Sequence, residues 1–454
     1  MRYVSTRGAA PVLGFDDVLL EGLATDGGLY VPEAWPRFEL PANGDYAAVA
    51  EAVIRPFVAG SVIEADLGRM LRDTYARFRH PDVAPLWEVT GGHHLLELFW
   101  GPTLSFKDYA LQFVGAAFDS VLSARGGSVT VLGATSGDTG SAAIEALRDR
   151  PSTRVVILFP RGRVSDVQRL QMTTVDATNV HAVAVDGTFD DCQALVKAAF
   201  STPELRSRHR LAAVNSINWG RVMAQAVYYA WTGMKIGSPF DVAVPTGNFG
   251  NVLAAEVARR GGVPVQRLVV GTNANHGLVD LIEHGRVVTS EVVPTIAPAM
   301  DIQVPSNFER YLFELVDRNG GEVAEAMDML RRQGALVMSE AAHARLSERF
   351  TGHWYEHGEI EAAIAGFFRD TGGAIDPHTA IGWLAGTAEQ GSRPMVSVAT
   401  AHPAKFPEAV ARATGVTPAL PDDLVDLADR PERAARIPAD LAAVARFLDE
   451  LPGG

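Results

Sequence analysis

Five short stretches of the chain combine residue types that can do chemistry. Lys107 stands in GPTLSFKDYALQF, after Phe106 and just before a helical pattern that begins near Asp108. An amine attacks carbonyls only when part of it is neutral, and burial against apolar groups lowers its pKa toward that state. A surface lysine at a helix start would look the same, since lysines are seldom buried. The second stretch is VPTGNFGN, Val244 to Asn251, which ends a strand pattern and opens a helical one. Gly247 and Gly250 let backbone approach a ligand closely, and a helix N-terminus offers unpaired N–H groups. Together they suit a phosphate, although a plain strand–helix turn uses the same residues.

The third stretch, ATSGDTGS (Ala134 to Ser141), gathers hydroxyls and backbone amides around Asp138. Such a turn holds a substrate carboxylate or phosphate, or else Ser136 or Asp138 simply caps a helix. The fourth is NSINWGR, Asn215 to Arg221. Arg221 falls in the first turn of a helix, where a cation opposes the dipole. An anion beside it would resolve that conflict, and the guanidinium fork suits phosphate; pairing with a surface acid is the alternative. The fifth is SVATAHPAKF, Ser397 to Phe406. A strand ends at Thr400, whose hydroxyl is placed to face a ligand. His402 reads either as a general base or as a satisfied structural histidine. Neither glycine turn carries the Gly-Lys-Ser/Thr ending of a triphosphate-binding loop or the GxGxxG of a dinucleotide fold.

These residues need a scaffold that brings distant turns together. The spacing predicts strands at Ser128–Gly133, Arg154–Phe159, Val180–Val185, Asp241–Val244, Arg267–Gly271 and Met395–Ala399. It predicts helices at Thr139–Arg148, Phe189–Phe200, Trp219–Lys235 and Asn251–Arg260. This alternation, with continuous apolar strands, argues for an open, mostly parallel sheet covered by helices on both faces. Before it, GLATDGGLYVPEAWP is a loop and Ala47–Arg79 reads as one amphipathic helix, giving a small, mainly helical N-terminal domain over residues 1–90. Glu322–Phe368 reads as helical with a polar middle, an insertion at about 320–370. After Thr417 comes a Pro-, Asp- and Ala-rich tail that closes with a helix near Leu441–Leu448.

Composition narrows the class. The chain has 454 residues, 40 Lys plus Arg against 54 Asp plus Glu, and so a formal charge of −14. Hydrophobic residues make up 47% and charged residues 21%, the balance of a folded globular protein. At about 150 residues per domain the length suggests roughly three domains. The acidic balance argues against a general nucleic-acid binder. Cys192 is the only cysteine, which rules out an internal disulfide and a cysteine-based zinc site; no metal is expected. The start, MRYVSTRGAAPVLGFDDVLL, lacks a basic cap followed by a long apolar run, and no apolar stretch approaches the roughly 20 residues that cross a bilayer. No membrane association and a cytoplasmic location are expected.

Taken in order, GPTLSFKDYALQF, GATSGDTGSAA, AVNSINWGR, PTGNFGN, IAPAMDIQVPSNFER (Ile296–Arg310), DPHTAIG (Asp376–Gly382) and TAHPAKF resemble the longer branch of the threonine synthase family. These are pyridoxal-phosphate enzymes of fold type II, the tryptophan-synthase-β-like fold. The resemblance runs from about Gly28 to about Ala413. It implies a catalytic region over 91–415, made of two subdomains with the active site between them, and leaves 416–454 as a tail. It implies pyridoxal 5'-phosphate bonded to Lys107, its phosphate cradled by Gly247, Asn248, Phe249, Gly250 and Asn251, and Thr400 facing its pyridine nitrogen. Asp138 takes the place where relatives often carry an asparagine near the ring hydroxyl, and a carboxylate does not donate unless protonated. Asn215, Ser216, Asn218 and Arg221 would bind the substrate phosphate, with Thr135 and Ser136 near the amino-acid head. Lys405 is either a further anion contact or exposed.

The implied reaction converts O-phospho-L-homoserine and water into L-threonine and phosphate by γ-elimination and β-addition of water. Lys107 would then act as general acid and base. The implied partner is a small molecule, bound by a monomer or a homodimer. A serine/threonine dehydratase or a related phospho-lyase is the nearest rival; a dehydratase substrate lacks phosphate and gives Arg221 nothing to hold. A catalytically silent relative would be expected to have lost the lysine or the cradle. A nicotinamide dehydrogenase would need the glycine fingerprint that is missing.

Overall fold

The computed structural model describes residues 1–451. Two sheets carry the architecture. One has six strands in the order Phe350–Trp354, Val265–Thr272, Phe240–Pro245, Met395–Ala399, His93–Glu97, Leu86–Thr90, all parallel except the last pair. The other has five, in the order Ala434–Pro438, Val180–Asp186, Thr153–Pro160, Val129–Ala134, Leu211–Ala212, all parallel. Phe240–Pro245 is buried at every position and Thr153–Pro160 at all but one. Both faces are covered by helices, as continuous apolar strands require. The expected fold class, an α/β protein of fold type II with mostly parallel sheets, is what the chain adopts. Among the described residues no helix is long and apolar enough to cross a membrane.

Four sequence expectations need correcting. Ala47–Arg79 is two helices, Tyr46–Val58 and Leu67–Tyr75, with Pro56 in the last turn of the first and a turn at Gly60–Ser61 between them. The N-terminal segment also contains an antiparallel three-stranded sheet, Leu13–Gly14, Arg2–Ser5 and Tyr30–Pro32. Its side chains close no separate core: Tyr3, Trp35 and Phe57 all pack against Trp219, with ring centroids 5.7 to 6.1 Å away. The stretch 320–370 is not helical throughout, because Phe350–Trp354 forms the edge of the six-stranded sheet and Ala335–Val337 pairs with Arg286–Val288. In the C-terminal stretch, Ala434–Pro438 extends the five-stranded sheet beside Val180–Asp186, and Ala443, Val444 and Leu448 of the helix Leu441–Glu450 are buried against it.

Two helices matter most for function. Lys107–Ala124 starts at the candidate lysine, and Asp138–Leu147 starts at the candidate aspartate. They touch at Gly115, where an added Cβ would run into the carbonyl of Ala146. The missing side chain lets the two backbones close on each other. Gly115→Ala is therefore expected to push the helices apart and cost about 1–3 kcal/mol of stability. A lowered thermal midpoint and a loosened Lys107–Asp138 contact in a crystal structure are the expected readouts; an unchanged midpoint would contradict the tight contact.

Candidate active site

Four of the five motifs lie just beyond the carboxyl ends of parallel strands. Thr135 follows Val129–Ala134, Asn215 follows Leu211–Ala212, Gly247 follows Phe240–Pro245, and Thr400 follows Met395–Ala399. Ligands of open α/β sheets bind at this edge. The fifth, Lys107, is drawn to the same edge by a bridge between Ser105 and Ala401 and by the Phe106 N–H, which donates to the Thr400 carbonyl at 2.9 Å. All five border one cavity of about 890 Å³.

Lys107 is 8% exposed and its Nζ donates to Asp138 Oδ2 at 3.2 Å. The other carboxylate oxygen, Oδ1, accepts from Gln168 Nε2 at 2.8 Å and faces Lys405 Nζ at 2.9 Å. Lys405 is fully buried and also donates to the Thr103 carbonyl at 2.7 Å, so it is neither exposed nor a free anion contact. Burial holds the Lys107 amine below its ordinary value against the opposing pull of Asp138; the charges of Lys405 and Arg221 push the same way as burial. Burial alone would raise the Asp138 carboxyl, but the ammonium groups of Lys405 and Lys107 hold it well below the usual carboxylate range. Asp138 is therefore an acceptor only, and cannot donate to a ring hydroxyl as an asparagine amide would.

The turn at Asp138 has strict local needs. Gly137 sits at φ +140°, and a Cβ there would collide with the Gln168 side chain. Gln168 is fixed in a capping box with Ser165 at the start of the helix Asp166–Thr173. Thr135 spends its hydroxyl on this turn, accepting from Gly137 N at 3.0 Å and Gly140 N at 2.8 Å. It scaffolds the turn, and Ser136 is the hydroxyl of that pair left half-buried at the cavity wall.

The 247–251 turn is built as a cradle. A Cβ on Gly247 would lie 2.6 Å from the Ala299 carbonyl. Phe249 is held at φ +62°, rare for a bulky residue, with its ring packed among Phe308, Tyr311 and Phe350. Asn248 is pinned through its carbonyl, which accepts from Asn307 N and Nδ2, both at 3.1 Å, and through its side chain by Ser306. Asn251 accepts from the hydroxyls of Tyr228 and Tyr229 at 2.8 and 2.6 Å, while its Nδ2 is buried with no partner. Gly250 opens the helix Gly250–Gly261, whose first N–H groups complete the cradle. Thr400 is fixed by its N–H, which donates to Thr379 Oγ1 at 3.2 Å.

Arg221 is 3% exposed, lines the same cavity, and leaves Nε and Nη1 buried without a partner. Burial pushes it down to about 10. A guanidinium in this state waits for an anion. Asn215 and Ser216 stand at the cavity wall beside it. Asn218 does not: its Oδ1 caps the helix Trp219–Ile236 at Gly220 N, and its Nδ2 donates to the Leu19 carbonyl at 2.8 Å. The expected phosphate contact from Asn218 is thus replaced by a capping role. His402 likewise caps, accepting from Ala404 N at 3.2 Å, and burial lowers it to about 4.

Sequence reasoning missed Gln168, Asn307 and Arg310. Arg310 is 1% exposed and ties Tyr30 O to Ile217 O, and Asn307 bonds Ser216 O, so the two together hold the 215–221 loop against the cradle. Both lie in the quoted PSNFER stretch, the one local hint they gave.

The orphaned Asn251 amide, the Gly247 cradle and the depressed Lys107 amine suit a phosphorylated aldehyde, and the free Arg221 fork suits a second anion. Known proteins agree with this reading. Residues 95–347 match the family model of pyridoxal-phosphate dependent enzymes, residues 2–75 that of the threonine synthase N terminus, and residues 379–448 that of the threonine synthase C-terminal region. The chain is 47% identical to threonine synthase of Pseudomonas aeruginosa, over 99% of this chain and 98% of that protein. It is 39% identical to threonine synthase of Schizosaccharomyces pombe, over 90% and 88% respectively. The crystal structure of threonine synthase from Brucella melitensis with PLP bound superimposes with a TM-score of 0.96 at 45% identity, covering 99% of this chain and 98% of that one. Maize serine racemase, at a TM-score of 0.51 and 13% identity, shares the fold alone.

Arg221→Met is expected to raise the thermal midpoint of the ligand-free protein, since it removes a buried charge with no counter-ion. In the cofactor-loaded protein the same change is expected to abolish the midpoint rise caused by inorganic phosphate. A destabilised variant that keeps the phosphate response would show that Arg221 is not the anion site.

Proposed function

The chain belongs to the threonine synthase family of pyridoxal-phosphate-dependent enzymes, and on that premise we propose that it converts O-phospho-L-homoserine and water into L-threonine and phosphate. The observation that carries this reading is a second, unfilled anion demand at Arg221, apart from the 247–251 cradle. A dehydratase substrate would leave that guanidinium buried and unpaired. A phosphorylated amino acid satisfies it.

Lys107 would hold the cofactor's aldehyde, the 247–251 turn its phosphate, and Thr400 its pyridine nitrogen. Bound there, the cofactor supplies an electron sink for negative charge developing on substrate carbons. A threonine hydroxyl at the pyridine nitrogen would leave that nitrogen largely unprotonated, so that positioning by the protein would carry more of the burden. Arg221, with Asn215 and Ser216, would grip the substrate phosphate and release it as the γ-leaving group. Lys107 Nζ, once free, would take protons from the α- and β-carbons and return them at the γ-carbon, which becomes the methyl group, and at the α-carbon. Its depressed pKa serves that role, because the neutral amine is the base. Water then adds at the β-carbon. Depth of burial keeps bulk solvent from competing: Lys107, Asp138 and Arg221 are each no more than 8% exposed.

Lys107→Ala is expected to remove the visible absorbance of the purified protein and all phosphate release from phosphohomoserine. Arg221→Ala should raise KM for that substrate far more than it weakens cofactor binding; equal losses would mean the arginine is structural. Ammonia released from serine or threonine at a rate rivalling phosphate release would replace the proposal with a dehydratase.

A further inference from the structure

Two lysines share one carboxylate in this site, and only one of them has work assigned to it. Lys405 arrives from the turn Pro403–Lys405, just past the strand end at Thr400, and is fully buried. Its ammonium lies 2.9 Å from Asp138 Oδ1 and donates to Thr103 O at 2.7 Å. Lys107 has the other oxygen, at the longer distance of 3.2 Å. We propose that Lys405 is a positioning residue of the reaction: by serving as the permanent counter-ion of Asp138, it frees the Lys107 amine to be neutral in a site that nonetheless holds it by a hydrogen bond. This rests on the acid–base role given to Lys107 above.

The argument is one of charge in a dry space. A carboxylate buried against a single lysine fixes that lysine as an ammonium, since neither charge is tolerable without the other. Such a lysine is a poor nucleophile and a poor base. A second cation on the same carboxylate changes the balance, because one negative charge then faces two positive ones and the neutral arrangement requires one proton to leave. The groups facing the pair come from separate elements. Asp138 is at the start of its helix, Lys405 on its turn, and Arg221 on the helix Trp219–Ile236, all acting on Lys107. Asp108, on the Lys107 helix, lies near Lys405, but its carboxylate is tied to Thr103 N and Oγ1 at 2.8 and 2.7 Å; His402 flanks the turn. Two cations thus flank Asp138, and a third, Arg221, acts on Lys107. Arg221 does not titrate in a useful range, and Lys405 is held by the shorter contact and a second acceptor. Lys107, with one longer hydrogen bond, is the group left to give up its proton.

The test measures the charge state of Lys107 without using turnover. The full-length protein, stripped of cofactor, is pulse-acetylated across a pH series, and the Lys107 peptide is quantified by mass spectrometry. Only the neutral amine reacts. Lys405→Met keeps chain length and removes the charge, so acetylation of Lys107 near neutral pH should fall about tenfold or more. Asp138→Asn removes the shared anion, so acetylation should rise by a similar factor. Opposite changes in two variants of one contact are not produced by loosened packing, which would accelerate both. An unchanged rate in folded Lys405→Met, or acceleration in both variants, would overturn the proposal. Lys405→Gln, shorter and able to donate to Asp138 Oδ1, gives the same comparison if the methionine variant does not fold. Failure here leaves the assignment of Lys107 as cofactor lysine standing, because that is judged separately by absorbance and phosphate release in Lys107→Ala.

Discussion

Burying a charge is costly unless a partner is buried with it, and the arrangement around Asp138 depends on that constraint. The carboxylate is 5% exposed and receives Lys107, Lys405 and Gln168 from three different segments. Each contact demands something of the fold. Gln168 reaches Asp138 because Gly137 has no side chain in the way. Lys107 reaches it because Gly115 lets two helices close. Lys405 reaches it because the chain turns sharply after the strand Met395–Ala399, where His402 caps the turn. Removing any one partner would leave charge or hydrogen-bonding capacity stranded in a low-dielectric site.

The two anion demands of the site are met by different physics. At the 247–251 turn the donors are backbone groups at a helix start, where partial charge is fixed by geometry and costs nothing to keep ready. That geometry includes a left-handed Phe249, a conformation worth about 1–3 kcal/mol of strain. The aromatic packing of its ring with Phe308 and Phe350, at centroid distances of 5.4 and 5.6 Å, offsets it. At Arg221 the donor is a full charge with no counter-ion, an unstable state that a substrate phosphate would relieve. The first arrangement suits a resident group and the second a passing one: a preformed cradle holds permanently, whereas relief of a buried charge is gained at each arrival and lost at each departure.

The strands and the chemical motifs were legible because their signals are local. Arg154–Phe159 and Met395–Ala399 are continuous apolar runs, and both emerged as strands within a residue or two of their expected bounds. The glycine turns announced themselves by composition. What stayed hidden depends on partners far away in sequence. Lys405 bonds Thr103 across 302 positions, and nothing near Lys405 says that it will be buried. Asn218 was expected to bind phosphate together with its neighbours in the NSINWGR stretch; its use as a helix cap for Gly220 and as a tie to Leu19 is a matter of placement. The strands Phe350–Trp354 and Ala434–Pro438 escaped notice because both are edge strands, exposed in part and mixed in composition. An edge position asks little of a sequence beyond an available backbone.

The surface and the site pull in opposite directions electrostatically. A chain with a formal charge of −14 repels anions at long range, yet its cavity places two cations on one carboxylate and a third, Arg221, within reach of Lys107. Salt screens the first effect within about 10 Å at ordinary ionic strength. Inside the cavity little screening remains, so the local excess of positive charge decides what is retained. A doubly anionic small molecule with an amino group fits that excess and adds a proton-exchanging partner for Lys107. An excess that would draw a phosphate in would also keep the lysine short of a proton, so that binding the substrate and readying the base would be two consequences of one charge distribution. Filling the Arg221 site with an anion would then weaken the pressure on Lys107 to stay neutral, and loss of phosphate would restore it, which couples leaving-group departure to the protonation state of the lysine.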